Sequence, residues 1–187
     1  FYDRPHFSMN HLEEMAERAL EKSGVPDDEA REIPIEDVLQ DSMCVGIEYV
    51  SLPSDVMGCA VFTPAGLESV QINAVLSESC NDVMSDRRRR STIAHELGHG
   101  LTHTPLYVQR FEFERRQSDF DPSAPQRAHI ACRSGDIRET AGSPSSNYSW
   151  IEWQANSLIG PLLVPRRALW RHLEPWTGKR DGICIPH

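Results

Sequence analysis

The sequence predicts an α+β domain in which a small, mostly antiparallel sheet packs against a few helices. Apolar residues alternate with period two only between positions 45 and 74, and recur at helical spacing on both sides of that region. The 187 residues, 39% apolar and 25% charged, suffice for one hydrophobic core without staples. One domain spanning 1–187 is therefore expected, with a long insert at 104–149 and a loosely ordered tail at 175–187.

The first element is a helix. Asn10 is placed to cap it, Glu13 completes a capping box, and Leu12, Met15, Ala16, Ala19 and Leu20 form its apolar stripe. Gly24 and Pro26 end it. A short helix then starts at Pro34 and uses Ile35, Val38 and Leu39. Val45, Ile47 and Tyr49 alternate as in a half-buried strand. Met57–Thr63 is a second strand, Pro64-Ala65-Gly66 a turn, and Val70, Ile72 and Ala74 mark a third strand. A helix from about Arg88 to His103 is limited by Pro105. Between Thr104 and Trp150 the chain is polar; apart from a short helix near Leu106–Arg116, it is expected to be loop, above all 118–125 and 141–147. A strong helix covers Trp150–Leu163 and stops at Pro165, and a short one follows over Arg166–Leu173.

A net charge of −9 argues against a protein whose main task is gripping nucleic acid, which needs a positive field. The five cysteines, Cys44, Cys59, Cys80, Cys132 and Cys184, are odd in number and form no Cys-x-x-Cys pair. They fit a reducing compartment, hence a cytoplasmic location, better than a disulfide framework. No stretch of 18 apolar residues suggests a membrane span, and the N-terminus carries no secretory apolar run. The chain does not begin with Met, so a leader lost by trimming stays open.

The chemistry lies in Thr92-Ile93-Ala94-His95-Glu96-Leu97-Gly98-His99, a His-Glu-x-x-His pattern inside a helical segment. Residues four apart on a helix are about 6 Å apart along its axis and share a face, so both imidazoles can reach one metal ion. Zinc suits two imidazoles and a carboxylate, with a fourth position left for water, and lowers the pKa of that water to about 7. Glu96, displaced around the helix, is the candidate base that takes the water's proton before attack on a peptide carbonyl. Gly98 and Gly100 each cost the helix roughly 1 kcal/mol relative to Ala, which calls for close approach of another backbone.

The third ligand must come from elsewhere. His103, His129, Asp136, Glu139, Glu152 and His172 are the downstream candidates. Glu152 is favoured because Leu158, Ile159, Leu162 and Leu163 anchor its helix, and a packed helix holds a ligand better than a loop. Small Ala155 and Asn156 let two helices pack closely, and Asn156, one turn past Glu152, is placed to orient a ligand. Equally open on these grounds is an exposed carboxylate favoured by the helix dipole.

These residues together resemble the ImmA/IrrE metallopeptidases. The resemblance rests on Ile72-Asn73, on Arg88-x-Arg90-Ser91-Thr92-Ile93-Ala94-His95-Glu96-Leu97-Gly98-His99, on Glu152-x-x-Ala155-Asn156 and on Leu162-Leu163-Val164-Pro165. It runs from the first helix to about Pro165. It implies a minimal zincin fold, with a short sheet on the metal helix and a glutamate on the next helix completing the site. It further implies zinc held by His95, His99 and Glu152, with Glu96 as the base. Some members cleave helix-turn-helix repressors and so switch on mobile-element or stress genes, which implies a regulatory protein as substrate. Ser91 stands where members often carry an aromatic residue, and the 52 residues between His99 and Glu152 exceed the spacing of compact members.

Several other residues have competing readings. His103 continues the ligand face; as a fourth ligand it would close the site, whereas behind the ligands or at the helix end it would leave the water position open. Cys132 is a candidate inhibitory or redox thiolate on the metal, or a small buried residue. Tyr148 and His129 are candidate donors to the oxyanion. Arg87–Arg90 is either a contact for DNA or an acidic partner, or a solvated approach to the metal helix beside Asp86. Trp150, Trp153, Trp170 and Trp176 fit core and cleft wall better than a base-stacking platform. The strand Val70–Ala74 is a candidate exposed edge for an extended substrate, to be tested by Ile72→Pro.

The expectation is thus a zinc endopeptidase acting on a regulatory protein, with no direct nucleic-acid or membrane partner. Its rival is a non-catalytic, metal-containing binding module that sequesters its partner, as in a toxin–antitoxin pair.

Overall fold

The computed structural model describes residues 6–26, 31–78, 82–117, 121, 123–124, 126–133 and 147–177, with the backbone alone at 147–149 and 176–177. Among them are six helices and a mixed four-stranded sheet. In chain order these are α1 (Met9–Lys22), α2 (Ile35–Met43), β1 (Ile47–Val50), β2 (Val56–Thr63), β3 (Gly66–Asn73), α3 (Val75–Glu78), α4 (Val83–Glu114), β4 (Ala128–Arg133), α5 (Asn147–Leu163) and α6 (Arg166–Thr177). No described helix is long and apolar enough to cross a membrane.

The sheet runs β1-β3-β2-β4. β2 pairs antiparallel with β3 and with β4, and β1 pairs parallel with β3. This corrects two expectations. The helix expected near Leu106–Arg116 is the continuation of α4, and Ala128–Arg133, expected as loop, is strand β4, while 118–120, 122, 125, 134–146 and with them the Asp136 and Glu139 candidates lie outside the described residues. The segment at Val70–Ala74 is not an edge: β3 is flanked on both sides, and the outer strands are β1 and β4. Ile72→Pro therefore removes a ladder hydrogen bond inside the sheet and tests folding, not substrate pairing.

Helix ends also differ in detail. Ser8, not Asn10, caps α1, its hydroxyl accepting from the His11 N–H. Asp82 caps α4 by accepting from Met84 and Ser85, so this helix starts before Arg88. It also passes through Pro105, which lacks the N–H for an intrahelical bond and costs about 3 kcal/mol. Tertiary packing offsets that cost. Beyond Pro105, Tyr107 stacks on Phe62 at 4.5 Å, and Phe111 is buried in a cluster with Ala60, Phe62 and Ile130. Pro175 likewise lies inside α6, which reaches Thr177 rather than ending at Leu173; the rest of the expected tail, 178–187, lies outside the described residues.

The larger core cluster joins α1, α2, β3, α4 and α5 through Leu12, Leu20, Leu39, Val70, Ile72, Ile93, Leu97, Leu158 and Leu162. Gly98 explains how closely α4 and α5 meet: a Cβ there would lie 2.9 Å from the Ala155 carbonyl oxygen and 3.0 Å from its Cα. The backbone approach expected of Gly98 is present. Gly100 differs, since its missing Cβ makes room for the side chains of Leu67 and Met43. The arginine run ties α4 to the chain before it: Arg89 pairs with Glu36 and with Asp86 at 2.7 Å, and Arg90 with Glu32 at 2.6 Å, while Arg87 and Arg88 are exposed. Trp150 and Trp153 stack at 4.8 Å, but Trp170 is exposed on α6, against the core or cleft-wall expectation; the Trp176 side chain lies outside the described residues.

Candidate metal centre

The His-Glu-x-x-His segment occupies the buried middle of α4, where His95, Glu96 and His99 have no exposed surface. The one-turn spacing brings the His95 and His99 Nε2 atoms to 3.0 Å. Glu152 of α5 meets them, Oε2 lying 3.1 Å from His95 Nε2 and Oε1 3.5 Å from His99 Nε2. Glu152 is itself buried, so the alternative of an exposed carboxylate at a helix start is overturned.

The remaining ring nitrogens orient the pair. His95 Nδ1 lies 2.8 Å from Asn156 Oδ1, an acceptor, and so carries a proton there. His99 Nδ1 lies 3.1 Å from His103 Nδ1, and His103 Nε2 lies 3.0 Å from Gln154 Oε1. The tautomers that satisfy this chain run N–H to acceptor from His99 through His103 to Gln154. Both ligand imidazoles then turn an Nε2 lone pair toward the same point. Two imidazole nitrogens and a carboxylate converge in a low-dielectric interior, where both Glu152 oxygens are buried against the imidazole pair. Their mutual repulsion is relieved by a cation, and His95, His99 and Glu152 form a set able to hold one.

Protonation follows from the same crowding. Burial lowers His99 to about 4 and, with the charge of His99, His103 to about 3. Burial alone would also lower His95, but Cys132 and Glu152 beside it hold it well above the ordinary imidazole value. Burial would raise Glu152, yet the two imidazoles bring it down to about 2. The raised His95 imidazole thus favours a positive charge beside Glu152.

Glu96 lies to one side of this set. Its two oxygens are buried and lack hydrogen-bond partners, and burial raises its carboxyl to about 8. Gly58 of β2 makes room for it, because a Cβ there would stand 2.8 Å from Glu96 Oε1 and 2.6 Å from Thr92 Cγ2. Cys132 is the direct cross-strand partner of Gly58 and is buried. Its Sγ belongs to a second compact set with His95 and Glu96, in which all ligand atoms lie within 4.8 Å of one another.

The structure therefore brings together His95, Glu96, His99, Glu152, Asn156, His103 and Cys132. His103 is not a ligand; both its nitrogens are taken up behind His99. His129 is exposed on β4, three residues from inward-facing Cys132 and so on the opposite face, which removes it as ligand or oxyanion donor. His172 is exposed on α6 and belongs to neither ligand set. Tyr148 falls in the first turn of α5, but its side chain lies outside the described residues. Sequence reasoning missed Gln154 and Gly58. Gln154 had a signal, a buried amide two residues from a carboxylate ligand; Gly58 needed the strand pairing. Compared with protein-family models, with curated proteins and with solved structures, the chain gives no match.

Proposed function

We propose that this chain is a zinc-dependent endopeptidase of zincin-like build, with His95, His99 and Glu152 as ligands and Glu96 as the catalytic base. The carrying observation is a pair of buried carboxylates beside a converging imidazole pair: Glu152 faces both Nε2 atoms, whereas Glu96 stands next to them with both oxygens unpartnered. A structural site needs no second carboxylate beside its ligands, whereas a hydrolytic one needs a base beside the position of the attacking water. The resemblance to ImmA/IrrE metallopeptidases points to the same roles and to a regulatory protein, such as a helix-turn-helix repressor, as substrate. The free thiols of Cys44, Cys59 and Cys132 accord with work in the cytoplasm.

Zinc in this site would polarise a peptide carbonyl and acidify a bound water. The rest of the chemistry belongs to the chain. The charge of a dication favours the ionised form of nearby carboxyls, so the Glu96 that burial holds protonated becomes a carboxylate base. Glu96 takes the water's proton and returns it to the departing amide nitrogen. Asn156 and the His103–Gln154 pair keep both imidazoles in the ligand tautomer throughout.

One observation favours a second reading, that of a non-catalytic partner-binding module: the ligands and Glu96 are buried, so a peptide must gain access before it can be cut. The test is co-expression with helix-turn-helix repressors and mass spectrometry of the products, alongside metal analysis. Wild type is expected to carry one zinc and cleave its partner, and Glu96→Gln to keep the zinc and lose cleavage. Undiminished proteolysis by Glu96→Gln removes Glu96 from the mechanism, and a stable complex with an uncut partner favours the binding module.

A further inference from the structure

We propose that His95, Glu96 and Cys132 form a second metal position, separate from the His95–His99–Glu152 centre, that takes a thiophilic dication such as cadmium and silences the site while it is filled. It goes beyond the hydrolytic reading and shares only His95 with the zinc ligands proposed above.

The three ligand atoms, one each from an imidazole, a carboxylate and a thiol, lie within 4.8 Å of one another, and all three residues are buried. The sheet brings the thiol there. In an antiparallel pair, residues directly opposite one another project to the same face. Cys132 opposes Gly58, whose would-be Cβ stands 2.8 Å from Glu96 Oε1, so the thiol projects from β4 on the face that meets α4. Glu96 is a second, independent observation. It has no exposed surface, and neither of its oxygens has a hydrogen-bond partner. A buried carboxyl group without a partner is costly, and a cation between it and the thiol relieves that cost. Cys132 shares no such set with His99 or Glu152 among the described residues, so a cation held by the thiol is displaced from the centre they form.

Charge and softness decide which ion prefers this position. His95, His99 and Glu152 offer one negative charge. His95, Glu96 and Cys132 offer two once the thiol and the carboxyl have released their protons to solvent, and two charges neutralise a dication in a dry interior. A thiolate also strengthens the hold on soft ions most. Bonds of about 2.3 Å to sulfur and about 2.1 Å to nitrogen or oxygen keep the ligand atoms of a tetrahedral ion roughly 3.5 Å apart, so small side-chain adjustments close the set. His95 Nδ1 is held by Asn156, so Nε2 serves whichever set is filled, and its single lone pair bonds one ion at a time. Filling the second position therefore takes a zinc ligand and the proposed base out of action together.

The test adds zinc and then cadmium(II) to the metal-stripped full-length chain. Released zinc is read with a chromogenic indicator, and cadmium–thiolate bonding by its ultraviolet charge-transfer band. Wild type is expected to exchange one zinc for one cadmium and to gain the band. Cys132→Ser should keep its zinc affinity, lose the band and bind cadmium at least about tenfold more weakly. Cys44→Ser, which alters an exposed thiol, should behave like wild type. A band that survives Cys132→Ser comes from other thiols and refutes the site. Cadmium-113 NMR of wild type needs no variant: a resonance in the range of one-sulfur sites supports the second position, and one in the range of nitrogen and oxygen alone refutes it. A chain that binds sulfur-ligated cadmium but no zinc supports the second position and overturns the zinc centre, whereas zinc binding without sulfur-ligated cadmium does the reverse.

Discussion

Adding a single methyl group at Gly98 should damage the metal centre without touching a ligand. The new Cβ would meet the Ala155 carbonyl oxygen at 2.9 Å and Cα at 3.0 Å, against about 3.4 Å for ordinary contact. Both atoms are backbone, so neither can swing aside, and α5 must retreat by roughly half an ångström. Metal–ligand distances tolerate about 0.2 Å. Glu152 lies three residues before Ala155 and Asn156 one after it, so the retreat carries a ligand and its orienting amide out of range. Overpacking costs typically 1–3 kcal/mol, and exchanging Gly for Ala in a helix returns about 1 kcal/mol, leaving a net loss of about 1 kcal/mol. Gly98→Ala should therefore melt slightly lower than wild type and bind zinc at least about tenfold more weakly in a chelator competition. Gly160→Ala is the control. It lies in α5 with nothing within 4 Å of its would-be Cβ, and should gain stability and keep zinc affinity. If Gly98→Ala binds zinc like wild type, close packing of α4 on α5 does not position the centre.

Two further outcomes follow from the groups around the ligands. Gln154→Ala leaves His103 Nε2 without its acceptor and frees the tautomer of His99; zinc affinity should fall about 10–100-fold by competition titration, and wild-type affinity would show the relay to be idle. Metal-free stability should peak near pH 6.5. His99 and His103, lowered to about 4 and about 3, stay neutral in the folded state, so their contribution is lost as pH falls below about 6.5. Glu96, raised to about 8, and His95, raised well above its ordinary value, keep their protons in the folded state, so their contribution is lost as pH rises through those folded values. Between about 4.5 and 6.5 the two histidines outweigh one carboxyl, and above 6.5 only the falling terms remain. Thermal melts in chelator that rise steadily from pH 6.5 to 9 would contradict this.

How much of this was legible in the sequence depended on how local each constraint is. His95, Glu96 and His99 are set by one helical turn, and the apolar anchors of α5 mark it as a packed helix able to deliver Glu152. Pro105 misled because its local cost is visible, whereas the burial of Phe111 and the Tyr107–Phe62 stack that outweigh it require strands distant in sequence. β4 was missed for a related reason: Ala128–Arg133 is short and mixed, and its inward residues Ile130 and Cys132 gain meaning only opposite Ala60 and Gly58. Once β4 joins β2, β3 can no longer be an edge. The same unseen strand brings the Cys132 thiol beside His95 and Glu96, a juxtaposition that sequence periodicity does not show.

That pairing also sets the direction of the energetics. A metal-free centre holds two facing imidazole nitrogens, two buried carboxyl groups and a thiol in a dry interior, where charge is costly unless it is balanced. One proton on His95 offsets part of that cost, but it is a single charge at one nitrogen, whereas a dication meets all the ligands at once. The folded chain should thus be stabilised by metal well beyond what ligand count alone suggests. A centre built from buried, mutually repelling groups is costly as a structural staple, since apolar residues of similar volume would hold α4 to α5 without penalty. Its retention in the core makes sense where the same groups are needed for chemistry.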